Sequence, residues 1–263
     1  MKDVRPILRD LADEQQDLLS LIAPLDDAQW QLQTPAPGWT IAHQIAHLAY
    51  FDEAAAISIM DPQAFARIRA EADEDPFGFG EAVLVPLIAL GATELMTRWK
   101  SCAQAFQSAA SAADPSKRVD WFGPSMSLAS KITARLMETW AHGQDVADAL
   151  GVRREPTARL RHIALIAYKA RPYSYLVRDL PVPEQEIFVE LTSPTGESWR
   201  FGSPTATERI TGSAEDFCLV LTRRRHVADS KLVATGEAAT EWLSIGQAFA
   251  GDPGAGRSPG QFP

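Results

Sequence analysis

Apolar residues recur at intervals of three and four along the first part of the chain, which is the spacing of one face of a helix. The first such stretch runs from Val4 to Ile22 and predicts an amphipathic helix. The segment TPAPGW then interrupts the pattern with two prolines and a glycine. Thr40 follows this break and is suited to cap a second long helix that continues to Met60.

The next part of the chain predicts a connection and a third helix. Residues 61–80 are acidic and contain several prolines and glycines, so we expect a mobile connection that holds a short helical piece. The third helix is predicted from Glu81 to Ala113, with Pro86 and Gly91 marking a start or a kink within it.

A fourth long helix closes the first domain. Ser125 or Ser127 can cap its beginning, and Gly151 is suited to the left-handed conformation that ends many helices. Four long helices separated by breakers predict an up-down four-helix bundle over residues 1–155. In such a bundle, binding sites are built from side chains that project inward from facing helices.

The pattern changes in the second part of the chain. Residues 156–183 are predicted as a connecting helix and linker, and residues 184–250 as a small α+β domain. That domain begins with a hairpin around a Pro-Thr-Gly turn and continues with a strand, a helix capped by Ser213 and Asp216, and a final amphipathic helix. Residues 251–263 are rich in Gly, Pro and Ser, and we expect them to be disordered. The predicted fold class is therefore mainly α, with a small α+β C-terminal domain.

Composition limits which partners and which cellular compartment we expect for this protein. The chain has 263 residues, of which 46% are hydrophobic, and a net charge of -9. This charge offers no general attraction for phosphate backbones or anionic lipid, so neither nucleic acid nor a membrane is an expected partner. No signal segment or spanning helix is visible, and the two cysteines, Cys102 and Cys218, are expected to be reduced. We expect a cytoplasmic monomer or homodimer.

Two segments carry residues that suit a metal site. Glu138 and His142 lie four positions apart in ETWAHGQDVADALG, so they share one face of the fourth helix. His43 and His47 have the same spacing on the second helix, and facing helices approach to about 8–10 Å. One carboxylate with imidazoles from a second helix suits a catalytic divalent ion with an open coordination position. The same spacings also occur on solvated helix faces, so spacing alone leaves both interpretations open.

The segments PGWTIAHQIAHLAYFD and ETWAHGQDVADALG resemble the paired signatures of the mycothiol-dependent maleylpyruvate isomerase family, a branch of the DinB-like four-helix bundles. The resemblance covers about residues 1–150. It implies that His47, Glu138 and His142 are the ligands of a divalent metal ion. The family's ion is commonly zinc, although the same ligands also accept nickel, iron or manganese.

We consider two neighbouring residues as candidates for orienting those ligands. One is His43, which in the alternative interpretation is an ordinary residue on the helix face. Asp145 lies one turn beyond His142 and can accept the proton on the other nitrogen of that ring; the alternative is a salt bridge at the end of the bundle. Trp39 and Trp140 adjoin these segments, and we expect them to pack around the site.

The resemblance implies a function as well as a site. It predicts a metal-dependent transferase or isomerase that uses a low-molecular-weight thiol of the mycothiol type on a small electrophilic molecule. A metal-dependent hydrolase remains open, because a metal-bound water would serve equally well. The second domain resembles a sterol-carrier-protein-like domain in its order of strands and helices. A protein that binds a metal and an apolar ligand without catalysis is therefore a further alternative.

Overall fold

The computed structural model describes residues 3–76 and 78–262. The chain divides into two compact units, Met1–Arg153 and Arg154–Pro263. The first is helical apart from one short ribbon, and the second combines helices with a four-stranded sheet. This architecture confirms the predicted fold class. Across the described ranges, no helix has both the length and the apolar character needed to cross a bilayer.

Eight helices and a two-stranded ribbon form the described part of the first unit. In chain order they are α1 (Arg5–Ile22), α2 (Asp27–Trp30), α3 (Ile41–Met60), α4 (Pro62–Glu74), α5 (Phe79–Ala82), α6 (Val85–Ile88), α7 (Ala92–Ala112), β1 (Arg118–Val119), β2 (Met126–Ser127) and α8 (Leu128–Leu150).

The four longest helices, α1, α3, α7 and α8, form the bundle. α3 packs against both α7 and α8, and α1 packs against the same two helices, which places α1 and α3 at diagonal corners. The predicted stripe of α1 faces inward, since Leu8, Leu11, Leu18 and Ile22 are all buried. Burial of such a stripe against neighbouring helices provides most of the stability of a helix in a bundle.

The helix that carries Glu138 and His142 has the predicted bounds. Ser127, rather than Ser125, caps α8, because its hydroxyl accepts a hydrogen bond from the backbone N–H of Ser130 at 3.1 Å. Gly151 ends the helix in the left-handed conformation, with φ of 65°. A non-glycine residue would be strained there.

The third long helix begins later than Glu81. It starts at Ala92, after Gly91, which is one of the two positions that the sequence offered as a start or a kink; the φ of 79° at Gly91 breaks the helical path. Pro86 lacks a backbone N–H to continue a helix from the preceding turn, so the chain before Gly91 forms the two short helices α5 and α6.

The connection over residues 61–80 contains more structure than predicted. Its main element is the 13-residue helix α4, in which the Asp61 carboxylate accepts a hydrogen bond from the N–H of Ala64 at 3.0 Å. Phe65 is the one buried residue of this helix. A single apolar anchor gives no periodic pattern, which is why the sequence did not predict a helix of this length.

The second unit surrounds a small mixed sheet. Its elements are α9 (Leu160–Lys169), α10 (Arg171–Leu176), β3 (Ile187–Thr192), β4 (Ser198–Phe201), β5 (Glu208–Ser213), α11 (Ala214–Leu221), β6 (Val233–Thr235) and α12 (Glu237–Ile245). The strand order is β4-β3-β5-β6, with β3 and β5 parallel and the outer pairs antiparallel. The predicted hairpin is β3–β4, and Ser213 caps α11 as predicted.

Three parts of this unit differ from the sequence-based picture or extend it. The predicted connecting helix is two helices, because Pro172 lies in the first turn of α10 and cannot donate to the end of α9. The strand β6 was not predicted, since three residues are too few to show alternation. Residues 251–262 contain no helix or strand, although the N–H of Gly260 donates to the Asp229 carboxylate at 2.8 Å.

Candidate metal centre

His47, Glu138 and His142, the three predicted ligands, come together between α3 and α8. A carboxylate oxygen of Glu138 lies 3.2 Å from Nε2 of His142 and 3.5 Å from Nε2 of His47. One ligand atom from each residue lies within 4.8 Å of the other two. Across residues 3–76 and 78–262, no other group of three or more His, Cys, Asp or Glu side chains is this close.

Helical spacing and helix packing together produce this convergence. Glu138 and His142 are one turn apart on α8, so they point to the same side of that helix. α3 packs against α8 and brings in His47, whose ring centre lies 4.2 Å from that of His142.

The site is buried on one side and accessible on the other. His142 is 7% exposed, whereas the side chains of His47 and Glu138 are each 20% exposed. A small ligand can therefore reach the donor atoms from the side of His47 and Glu138.

Glu138 is held in its charged form. Burial disfavours a charged carboxylate, but the hydrogen bonds and charge offered by His142 and His47 outweigh burial and hold the pKa of Glu138 well below its usual range. Glu138 is therefore ionised at neutral pH.

These donors fit a divalent ion. Zinc binds imidazole nitrogen and carboxylate oxygen at about 2.0–2.2 Å, and a tetrahedral arrangement at that distance separates neighbouring ligand atoms by about 3.4 Å. The separations of 3.2 and 3.5 Å from Glu138 to the two histidines are close to this value. Three protein ligands leave one tetrahedral position for another molecule.

The acceptor at the other nitrogen of His142 is one that the sequence analysis missed. The side-chain oxygen of Gln44 lies 2.5 Å from Nδ1 of His142, in the position that we predicted for the Asp145 carboxylate. Gln44 and Asp145 are both fully buried. Gln44 lies three residues before His47 on α3, and this spacing was the only available signal. A role for Asp145 stays a prediction.

His43 lies at the N-terminus of α3. Its Nδ1 accepts a hydrogen bond from the backbone N–H of Thr40 at 3.2 Å and lies 2.8 Å from the Thr40 hydroxyl. These contacts cap the helix. A further role of His43 in orienting a ligand stays a prediction.

Aromatic rings flank the donor atoms on both sides. The ring of Trp39 stacks on His142 with 6.0 Å between centres, and its Nε1 donates to Glu81 at 3.1 Å. On the other side, the ring of Phe51 lies 4.5 Å from that of His47. Phe51 was not predicted as a site residue. Trp140 is buried, at 7% exposure.

The aromatic surface continues beyond Phe51. The ring centre of Phe122 lies 5.7 Å from that of Phe51, and the ring centre of Trp121 lies 4.9 Å from that of Phe122. All three residues are only partly buried. An apolar surface therefore adjoins the accessible side of the donor cluster.

Comparisons with known proteins identify relatives of both units. Residues 11–147 match the family model described as the mycothiol maleylpyruvate isomerase N-terminal domain. Residues 183–235 match a family model described as wyosine base formation. The sterol-carrier-like type of the second domain stays a prediction.

Two whole-chain relatives are uncharacterised proteins from two strains of Mycobacterium tuberculosis. Each is 46% identical over 257 residues, which cover 98% of this chain and 100% of the relative. Two solved structures share the fold: the mycothiol-dependent maleylpyruvate isomerase, with TM-score 0.59 and 16% identity, and a histidine-to-alanine mutant of that enzyme, with TM-score 0.60 and 14% identity. Each match covers 89% of this chain and 93% of the solved chain.

Proposed function

We propose that this chain, which belongs to the family of the mycothiol maleylpyruvate isomerase N-terminal domain, binds one divalent metal ion through His47, Glu138 and His142. The bound ion would activate a low-molecular-weight thiol, of the mycothiol type, for transfer to or isomerisation of a small electrophilic molecule. The convergence of two imidazoles and one carboxylate from two helices is the observation that carries this proposal.

The charge of the donor set suits a thiol. A bound divalent cation lowers the pKa of a thiol that reaches it, so that the thiolate is present at neutral pH. Glu138 offsets one of the two positive charges, while the two histidines bind as neutral imidazoles. The loaded site therefore keeps a positive charge that attracts an anionic sulfur atom.

The cysteines of this chain do not suit the role of nucleophile. Burial, with a smaller effect of the charge of Glu53, raises the pKa of Cys102 to about 11. Burial raises the pKa of Cys218 well above its usual range. Both side chains are free and buried, so a reactive thiol has to come from a separate molecule.

The aromatic rings beside the donors suit the apolar part of a substrate. Trp39 lies on the His142 side of the donor cluster, and Phe51 with Phe122 lies on the His47 side. These rings can bind an uncharged or unsaturated electrophile and exclude water from the thiolate.

Metal analysis of matched histidine variants tests the proposal. Purified wild-type protein should contain one equivalent of a divalent metal ion. His47→Ala should bind that ion at least about 100-fold more weakly while keeping its helical circular dichroism, because a direct ligand is lost. His43→Ala is the matched control on the same helix, and it should keep the metal. Retention of stoichiometric metal by His47→Ala would contradict the assignment.

A thermal-shift screen tests the thiol. Mycothiol or a related low-molecular-weight thiol should raise the Tm of the metal-loaded protein, and the Tm of the metal-free protein should not change. If no thiol has an effect and native mass spectrometry finds a co-purified lipid with a four-ligand metal ion, the non-catalytic alternative is favoured instead.

A further inference from the structure

A line of hydrogen bonds runs from a backbone carbonyl to His142. The Thr34 hydroxyl lies 2.8 Å from the carbonyl oxygen of Trp39, and Nε2 of Gln44 lies 2.9 Å from that hydroxyl. The side-chain oxygen of Gln44 then lies 2.5 Å from Nδ1 of His142. Thr34, Gln44 and His142 are exposed by 8%, 0% and 7%, so the polar atoms of this line are shielded from water.

The direction of every bond in this line follows from its fixed end. A carbonyl oxygen can only accept, so the single hydroxyl proton of Thr34 must point to Trp39. The Thr34 oxygen is then left to accept from the amide nitrogen of Gln44. That orientation turns the Gln44 oxygen toward His142, and because this oxygen also can only accept, Nδ1 of His142 must carry a proton.

This proton decides what the other nitrogen offers. A neutral imidazole with its proton on Nδ1 has its lone pair on Nε2, which is the atom that lies 3.2 Å from Glu138. A proton shared between Nε2 and the Glu138 carboxylate has to leave before both atoms can bind an ion, whereas the proton on Nδ1 stays when Nε2 binds the ion.

We propose that Thr34 and Gln44 are positioning residues that keep Nδ1 of His142 protonated, so that Nε2 is the nitrogen that can bind an ion. The segment before α3 supports this role, because the carbonyl of Trp39 also accepts from the N–H of Thr34 at 2.8 Å and is thereby fixed. Residues 34–39 therefore orient the His142 ring through two separate contacts, the line of hydrogen bonds and the stacked ring of Trp39. The metal part of this inference rests on the proposed function, whereas the tautomer does not.

¹⁵N NMR of the metal-free protein with ¹⁵N-labelled histidines reports directly which ring nitrogen of His142 carries a proton. At a pH of about 8, Nδ1 of wild-type His142 should be protonated. Gln44→Met and Thr34→Val should both shift the proton to Nε2. In Thr34→Val, the Gln44 amide loses its acceptor and can turn its N–H groups toward Nδ1. Thr34→Ser keeps the hydroxyl and should preserve the wild-type tautomer.

Competition with a chromophoric chelator measures the consequence for Zn²⁺. Gln44→Met should raise the Kd for Zn²⁺ by about 10- to 100-fold, and Thr34→Val should raise it less. Thr34→Ser should restore wild-type affinity. Gln15→Met is the matched control, since it removes another buried amide of the bundle, one that pairs with Gln107. It should leave the Kd unchanged even if stability falls.

A wild-type His142 that carries a proton on Nε2 alone would overturn the inference, and this measurement requires no variant to fold. A Gln44→Met protein with the wild-type tautomer and Kd would also overturn it. If the wild-type protein binds no Zn²⁺ but shows the expected tautomer, the proposed function fails while the positioning role stands.

Discussion

At the scale of single residues, Lys131 is a lysine buried inside the bundle. It is 1% exposed, and its Nζ lies 3.2 Å from the centre of the Trp121 ring. Burial, together with the charge of Arg135, lowers the pKa of Lys131 to about 6. This side chain is therefore mainly uncharged at neutral pH, two turns before Glu138 on α8.

The depressed pKa of Lys131 predicts how stability changes with pH. An unfolded chain has an ordinary lysine pKa of about 10.4, so between pH of about 6 and about 10 the unfolded state binds more protons than the folded state. The free energy of unfolding should therefore rise with pH across this window, by about 2–3 kcal/mol between pH of about 7 and about 9 from this group alone.

Lys131→Met should remove most of that rise and stabilise the protein at neutral pH by about 3 kcal/mol. Urea unfolding of both proteins at two pH values measures the difference. Lys117→Met, which replaces an exposed lysine, is the control and should keep the wild-type pH dependence. If the free energy of unfolding changed with pH by the same amount in wild type and in Lys131→Met, Lys131 would be charged in the folded protein.

At the scale of helices, a buried ion pair connects the elements that carry the donors. Arg135 on α8 donates to Asp52 on α3 at 2.8 Å, and Trp99 on α7 donates to the other carboxylate oxygen at 3.2 Å. The Asp52 and Arg135 side chains are 0% and 3% exposed. Burial raises the pKa of Asp52, and Arg135 counters this effect. The pair lies close in sequence to His47 and Glu138, so it fixes the relative position of α3 and α8 near the site.

Removing one partner of this pair should be more harmful than removing both. Asp52→Leu leaves the Arg135 charge buried without a counter-charge and should destabilise the protein by about 3–5 kcal/mol. The double variant Asp52→Leu with Arg135→Leu removes both charges and should lose less stability than Asp52→Leu alone. A double-mutant cycle followed by denaturant unfolding measures this coupling. Additive single effects would show that the two charges act independently.

At the scale of the whole molecule, the donor cluster lies entirely within the first unit. His47, Glu138 and His142, together with Thr34 and Gln44, all precede the division after Arg153. This unit also has its own core, in which helices α1, α3, α7 and α8 bury their apolar faces. A unit with its own core can fold independently.

Residues 1–153 expressed alone should therefore fold as a helical bundle and bind one divalent ion. Circular dichroism would report the helices, and metal titration would report the site. The fragment should bind Zn²⁺ within about tenfold of the Kd of the full chain, a difference of about 1.4 kcal/mol. A fragment that is helical but binds no metal would show that the site depends on residues after Arg153.

The sequence by itself determined the four long helices of the bundle, apart from the start of α7, and the faces on which their side chains lie. The stripe of α1, the cap at Ser127 and the pairing of Glu138 with His142 depend on residues at most a few positions apart, and such local relations are set by the helical period. The beginning of α7 was harder to predict, because Gly91 is compatible with either a start or a kink until its backbone angles are known.

Only the tertiary structure decided which polar groups meet. From spacing alone, His43 and His47 were equivalent, and the rotation of α3 against α8 turned His47 toward Glu138 while His43 capped its own helix. Gln44 reaches His142 across 98 positions of sequence for the same reason. A helical period specifies the face on which a residue lies, but the residue that it meets depends on how two helices are rotated and shifted as their cores pack.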